Sequence, residues 1–282
     1  MSRIFMIRTA AAVFLLAGAW VAYTQQQAPP NPLILNKVKD DLYVIQDNGS
    51  GNVAIYVTNE GTILVDDKFE RNYDGIMEKI RSVTDKPVKY VMSTHHHTDH
   101  TGNNAKFLET AEIIAHKNNR INIVNGKQPG APRVVFSDEA SVFLGGKEVR
   151  ARYFGRGHTN GDAVIYFPAL RTIHTGDLMA GTSPLIDYSG GGSVKDWTGT
   201  LDGVMKELDF DTVIPGHGAV TNKDGLLKYR NDVEKLTTQV SSMIRKGQDK
   251  EAVRKVLIAD YAWDPMGLPM RISFDGLLNE LK

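Results

Sequence analysis

Four short stretches, each closing an apolar run, constrain this chain more than anything else in it. They are "THHHTDH" after "KYVMS", "GRGHTNGD" after "VRARYF", "HTGD" after "RTI" and "PGHG" after "DTVI". Loops at the ends of strands are where a rigid scaffold presents chemistry. In "HHHTDH" an extended backbone sends His95 and His97 to one side and His96 to the other, because side chains alternate along a strand. Two imidazoles on one side can clasp an ion. Asp99 and His100 follow where the chain should turn into a helix, which would aim them at a second ion. His158 can complete the first site and His217 the second, with Asp177 placed to offer a carboxylate oxygen to both. Imidazole and carboxylate suit zinc, and a set without thiolate argues against a closed structural site.

The intervening segments predict a scaffold for these loops. Strand patterns at 40–46, 52–58 and 61–66 come first, the last two joined by a turn at Asn59, Glu60 and Gly61. "NYDGIMEKIRSV" then spaces Ile76, Ile80 and Val83 on one face of a helix over 72–83. "KYVMST" (89–94) is a buried-strand run, "GNNAKFLE" begins a helix, 111–115 is a strand, and "NNRINIVN" a short helix. The turn-rich 126–132 marks a loop between two halves. Strands "SVFL", "KEVRARYF", "DAVIYF" and "RTIHTG" follow, then a helix over 196–208, the strand "DTVIP", and helices to the C-terminus. Two successive β-rich blocks with interleaved helices predict an α/β fold of two sheets face to face with helices outside.

H-x-H-x-D-H at 95–100, followed by "GHTNGD", "TGD" and "PGHG" in that order, resembles the metallo-β-lactamase superfamily over nearly the whole chain beyond the N-terminal leader. The resemblance implies an αββα sandwich with a metal centre at the sheet edge. It also implies two zinc ions, with iron or manganese as alternatives, that generate hydroxide from water at neutral pH, and Asp99 as the catalytic residue that orients it. The implied metal ligands are His95, His97, His158, Asp99, His100, Asp177 and His217. Asp66, closing "TILVD", matches an aspartate that supports the ligand loop, whereas Asp67 stands where many relatives have a small residue and receives no role. Asp177 resembles the bridging aspartate of the glyoxalase II, lactonase and phosphodiesterase branches. Class B β-lactamases typically carry cysteine or serine there, and the lysine that many of them place nearby is missing.

Composition narrows the partners. Lys plus Arg equals Asp plus Glu at 33 each, so nothing favours nucleic acid. A small-molecule carbonyl substrate is expected instead. The N-terminus reads as a signal peptide over 1–24: Arg3 and Arg8, the apolar Thr9 to Tyr23, then polar residues, with cleavage after Thr24. That apolar run is shorter than the roughly 20 residues a spanning helix needs, which favours cleavage and a periplasmic or secreted protein over a retained anchor. Residues 25–36 read as a linker and 37–282 as the hydrolase domain. Cysteine is absent from the whole sequence, so no disulfide contributes.

The remaining candidates are weaker. His96 faces away from the clasp and is read as structural, His116 as a loop or capping residue, His174 as packed. Asp162 is expected to hold the loop around His158. The glycine-rich stretch after Asp177 is a natural pocket wall, in which Tyr188 or Lys195 could touch substrate. Export with this fold makes β-lactams a plausible substrate. A lactonase or glyoxalase II-like thioester hydrolase is the alternative, with a mononuclear iron persulfide dioxygenase-like enzyme or a periplasmic relay partner as readings of another class.

Overall fold

The computed structural model describes residues 31–181 and 184–282. The segment read as a signal peptide, its cleavage point and the first half of the segment read as a linker lie outside the described residues. Among those described, no helix is long and apolar enough to cross a membrane.

The first sheet runs β1 (Ile34–Lys39), β2 (Leu42–Gln46), β3 (Val53–Val57), β4 (Thr62–Val65), β5 (Val88–Ser93), β6 (Glu112–His116) and β7 (Val134–Phe136), each beside the next. β1 to β4 are antiparallel neighbours, and β4 to β7 run parallel. Helices α1 (Tyr73–Arg81), α2 (Thr98–Thr101), α3 (Asn104–Phe107) and α4 (Lys117–Asn125) occupy the connections. The second sheet has the order β13 (Thr221–Asn222), β12 (Thr212–Ile214), β11 (Thr172–His174), β10 (Ala163–Phe167), β9 (Lys147–Tyr153) and β8 (Glu139–Leu144). Helix α5 (Val194–Glu207) connects β11 to β12, and α6 (Lys223–Arg245), α7 (Lys250–Tyr261) and α8 (Phe274–Glu280) end the chain.

Alternation along single strands explains the layering. Ala54 and Tyr56 of β3 enter an apolar core with Ala163, Ile165 and Phe167 of β10, which is the seam between the sheets. Val53 and Ile55 point the other way, onto Ile76 and Ile80 of α1 and Phe107 of α3. Val164 and Tyr166 of β10 likewise face Trp197 and Leu201 of α5 and the C-terminal helices. Both faces of the central strands are therefore buried, which is why they read as continuous apolar runs. The result is the expected sandwich of two mixed sheets between helical layers.

Three strands escape the sequence pattern. β1 is largely exposed and lacks an apolar face, so its residues resemble linker; the strand begins at Ile34, inside the segment read as linker. β7 follows the turn-rich 126–132 and still joins the first sheet, so the two halves meet after Phe136 rather than at that loop. β13 has only two residues.

Parallel pairing aligns the functional loops. In the second sheet His174 of β11 pairs with Ile214 of β12, so Asp177 and His217, each three residues further on, leave the same edge side by side. In the first sheet Val65 pairs with Met92 and Ser93 with Ala115, which puts the ends of β4, β5 and β6 level at the matching edge.

Candidate metal centre

The seven residues singled out as ligands come together at that edge in two clusters. His95, His97, His158 and Asp177 form one, and Asp99, His100 and His217 the other, each with its ligating atoms within 4.8 Å of one another. His95 and His97 follow β5, and His97 then starts α2, which turns Asp99 and His100 toward the second cluster.

Hydrogen bonds outside the clusters fix which nitrogen of each ring faces inward. His158 Nδ1 donates to Leu185 O at 2.6 Å, leaving its Nε2 lone pair toward His97 Nδ1 at 2.9 Å. His97 Nε2 donates to Asp187 Oδ2 at 3.0 Å, so its Nδ1 also points inward. Thr94 Oγ1 donates to Asp66 Oδ2 at 2.7 Å and can accept from His95 Nδ1 at 3.1 Å. His95 Nε2 then faces His97 Nδ1 at 3.2 Å. In these tautomers three lone pairs converge on one point, an arrangement that could hold a metal ion.

The second cluster repeats the logic. His100 Nδ1 donates to Asp66 Oδ2 at 2.8 Å, so its Nε2 lone pair faces His217 Nε2 at 3.3 Å. Asp177 spans both clusters: Oδ2 lies 3.8 Å from His95 Nε2 and 3.6 Å from His158 Nε2, while Oδ1 lies 3.3 Å from His100 Nε2 and 3.5 Å from His217 Nε2. Asp177 Oδ1 is buried and receives no hydrogen bond from any described residue. A buried carboxylate oxygen facing imidazole lone pairs fits a metal ligand better than any protein-only arrangement.

Space around these ligands is as defined as their polarity. A Cβ on Gly51 would lie 2.3 Å from the His100 ring, and one on Gly216 would lie 2.0 Å from Asp177 Oδ1. Gly51 is in turn held by the fully buried Lys68, whose ammonium donates to Gly51 O at 2.6 Å and Ser50 Oγ at 3.1 Å and meets Asp47 at 3.4 Å. Asn52 donates to Pro215 O at 2.9 Å and Gly218 O at 3.0 Å, fastening the loop that carries His217.

Residues 47–217 match the family described as the Metallo-beta-lactamase superfamily. This chain belongs to that superfamily. It is similar to a metallo-beta-lactamase type 2 of Elizabethkingia meningoseptica, at 26% identity over 194 residues, 65% of this chain and 78% of the relative. It is also 31% identical over 140 residues, 47% of this chain and 41% of the relative, to a 2,4-dinitroanisole O-demethylase subunit alpha of Nocardioides sp. (strain JS1661). Among solved structures, a metallo-beta-lactamase from Pontibacter korlensis superposes with a TM-score of 0.65 at 20% identity, covering 72% of this chain and 99% of that one. That likeness establishes the superfamily fold.

Around this superfamily site, several residues take settings the sequence did not reveal. Asp187 is buried beside His97 and, through Oδ1, accepts from Ser189 Oγ at 2.5 Å and Gly190 N at 2.9 Å. Burial alone would raise its carboxyl, but the His97 hydrogen bond overrides this and holds it well below the usual carboxylate range. An acid inside the otherwise apolar or small "SPLIDYSGGG" was the available signal. Tyr188, read beside it as a substrate contact, donates to Glu280 at 2.9 Å. Lys195 is exposed on the first turn of α5, in a surface depression with Tyr153, Phe154 and Arg156. Neither residue belongs to the two clusters.

The other side candidates are accounted for by local contacts. Asp162 accepts from Thr159 N at 2.8 Å and Thr159 Oγ1 at 2.5 Å, bracing the turn after His158. Burial pushes its carboxyl up to about 7. His116 caps α4 and stacks on Tyr153 with ring centroids 4.1 Å apart. His174 lies 3.2 Å from Asn52 O and accepts from Gly176 N at 3.1 Å. His96 lies outside the first cluster, 3.5 Å from Asp187 Oδ2. Asp67, left without a role above, accepts from Asn103 N at 2.8 Å and so ties the end of β4 to the turn after His100.

The electrostatics yield a pH test. Burial disfavours charge on His217, yet Asp177 and Asp99 push it up to about 10. A pKa raised on folding contributes stability that is full below the unfolded value, about 6.5, and is lost as pH rises through the folded one. Protein stripped of metal by a chelator should therefore lose stability to urea between about pH 6.5 and 10. His217→Gln should flatten that slope; an identical slope in the variant would assign the titration elsewhere.

Proposed function

We propose that this chain is an exported di-zinc hydrolase that attacks the carbonyl carbon of an amide or ester bond in a small molecule, β-lactams among the candidates. The observation that carries the reading is Asp177, one oxygen of which faces each cluster. His95, His97 and His158 would hold one zinc, Asp99, His100 and His217 the other, with Asp177 between them. Zinc bound there would supply a water-derived nucleophile at neutral pH and Lewis-acid polarisation of the carbonyl oxygen.

The protein's own groups do the rest. Asp66, Asp187 and Leu185 O hold His100, His97 and His158 in the tautomers that keep lone pairs inward. Asp99 is partly open to solvent, with 22% of its side chain exposed, and its Oδ2 lies 3.2 Å from His217 Nε2. Burial would raise its carboxyl, but His100 and His217 hold it below the usual carboxylate range. It is therefore ionised at neutral pH and suited to accept a hydrogen bond from water and orient it at the mouth. The second cluster favours a two-ion hydrolase over a single-iron oxidoreductase, because three further ligands serve no purpose around one ion.

The test is kcat/KM of the zinc-loaded protein on a chromogenic cephalosporin, a lactone and a thioester in parallel. A cephalosporin value at or above about 10⁴ M⁻¹s⁻¹, the lower range for ordinary enzymes, supports an efficient β-lactamase. A value orders of magnitude lower, with a lactone or thioester turned over efficiently, keeps the hydrolase and changes the substrate. Failure on all three substrates by protein carrying both ions overturns the proposal.

A further inference from the structure

The chain beyond His217 lies outside the family match, and its last part reaches back to the loop between β11 and α5. Buried Ser273 accepts from Ile186 N and donates to Ile186 O, both at 2.9 Å. Glu280 of α8 accepts from Tyr188 Oη at 2.9 Å, Val194 N at 2.9 Å and Ser193 Oγ at 2.5 Å. Its carboxylate thus sits at the N-terminus of α5, where a negative charge is favoured. The Tyr188 ring lies so close to α8 that a Cβ on Gly276 would be 2.0 Å from it.

These pins flank the groups that orient two metal-facing histidines. Leu185 O and Asp187, which hold His158 Nδ1 and His97 Nε2, lie next to Ile186 and Tyr188. The loop continues into Gly190, Gly191 and Gly192, a run with no side chains to restrict it and a high entropy cost of ordering. Gly192 also passes against His158 O, which a Cβ there would approach to 2.3 Å. Asp187 N donates to His158 O and Asn160 N to Gly190 O, both at 2.9 Å, and the C-terminal contacts add to these ties.

We propose that the C-terminal segment, through Ser273 and Glu280, is a positioning element for the first metal site, setting the loop that orients His97 and His158. The proposal rests on the metal-centre reading above. It assigns the chain after the family domain a part in metal retention, by way of residues that touch neither metal nor substrate.

The experiment loads wild type and Ser273→Ala/Glu280→Gln with two zinc ions and follows zinc loss to excess chelator with a metallochromic indicator. One zinc of the double variant should leave about 10- to 100-fold faster, the usual scale for lost support behind a ligand, and the other at the wild-type rate. Glu280→Gln alone, which keeps size and an acceptor, should show a smaller acceleration of the same ion. Leu257→Ala, in the same apolar core on α7, should lower Tm without changing either rate. Wild-type rates in the double variant, or equal acceleration by Leu257→Ala, overturn the inference. A wild type that takes up no zinc would instead remove the metal-centre reading on which it stands.

Discussion

Asp177→Ala should lower the bound metal from about two ions per chain to one or none and cut kcat/KM by more than about 10³-fold. The expectation comes from the position of one carboxylate. Its Oδ2 faces His95 and His158, its Oδ1 faces His100 and His217, and among the described residues no other acid is grouped with His95 and His158. Removing it would take a ligand from each ion at once. Asp177 lies on a short turn whose Gly176 has φ +51°, and a Cβ on Gly176 would lie 2.5 Å from Thr94. Elemental analysis of the purified variant beside wild type decides the matter; unchanged stoichiometry would sink the bridging role.

Asp66→Ala should be nearly as severe, but by another route. Asp66 accepts from Thr94 N, Thr94 Oγ1 and His100 Nδ1 at 2.7, 2.7 and 2.8 Å, and it is fully buried. Its loss strands three donors at roughly 1–3 kcal/mol each, partly relieved by water, so unfolding free energy should fall by about 3–5 kcal/mol. It also frees His100 to take the wrong tautomer, which should weaken the second ion about 10- to 100-fold. Urea unfolding and zinc competition read the two effects separately. A variant that loses stability but binds both ions as tightly as wild type would reduce Asp66 to a structural brace.

What the sequence made legible follows from how local each signal is. His95, His97, Asp99 and His100 are close in the chain, so strand alternation and the following turn were enough to divide them between two sites. His158, Asp177 and His217 each follow a strand-like run, and parallel register sets the last two side by side. Asp187 was hidden because its partner His97 lies 90 positions away, and nothing in a glycine-rich loop tells which of its residues turns inward. Tyr188 looked like a substrate contact for the same reason; its partner, Glu280, is almost at the end of the chain. β1 and β13 were illegible because an exposed edge strand needs no apolar face, and two residues have no period.

Each metal cluster draws on both sheets. His95, His97, Asp99 and His100 leave the first, and His158, Asp177 and His217 the second. Neither half of the chain can assemble a complete site alone, and the contacts that unite them span about 60 to 120 residues of sequence. Contacts of such sequence separation carry a large loop-closure cost. An ion held by either cluster would therefore join the two sheets and act as a clasp across the seam.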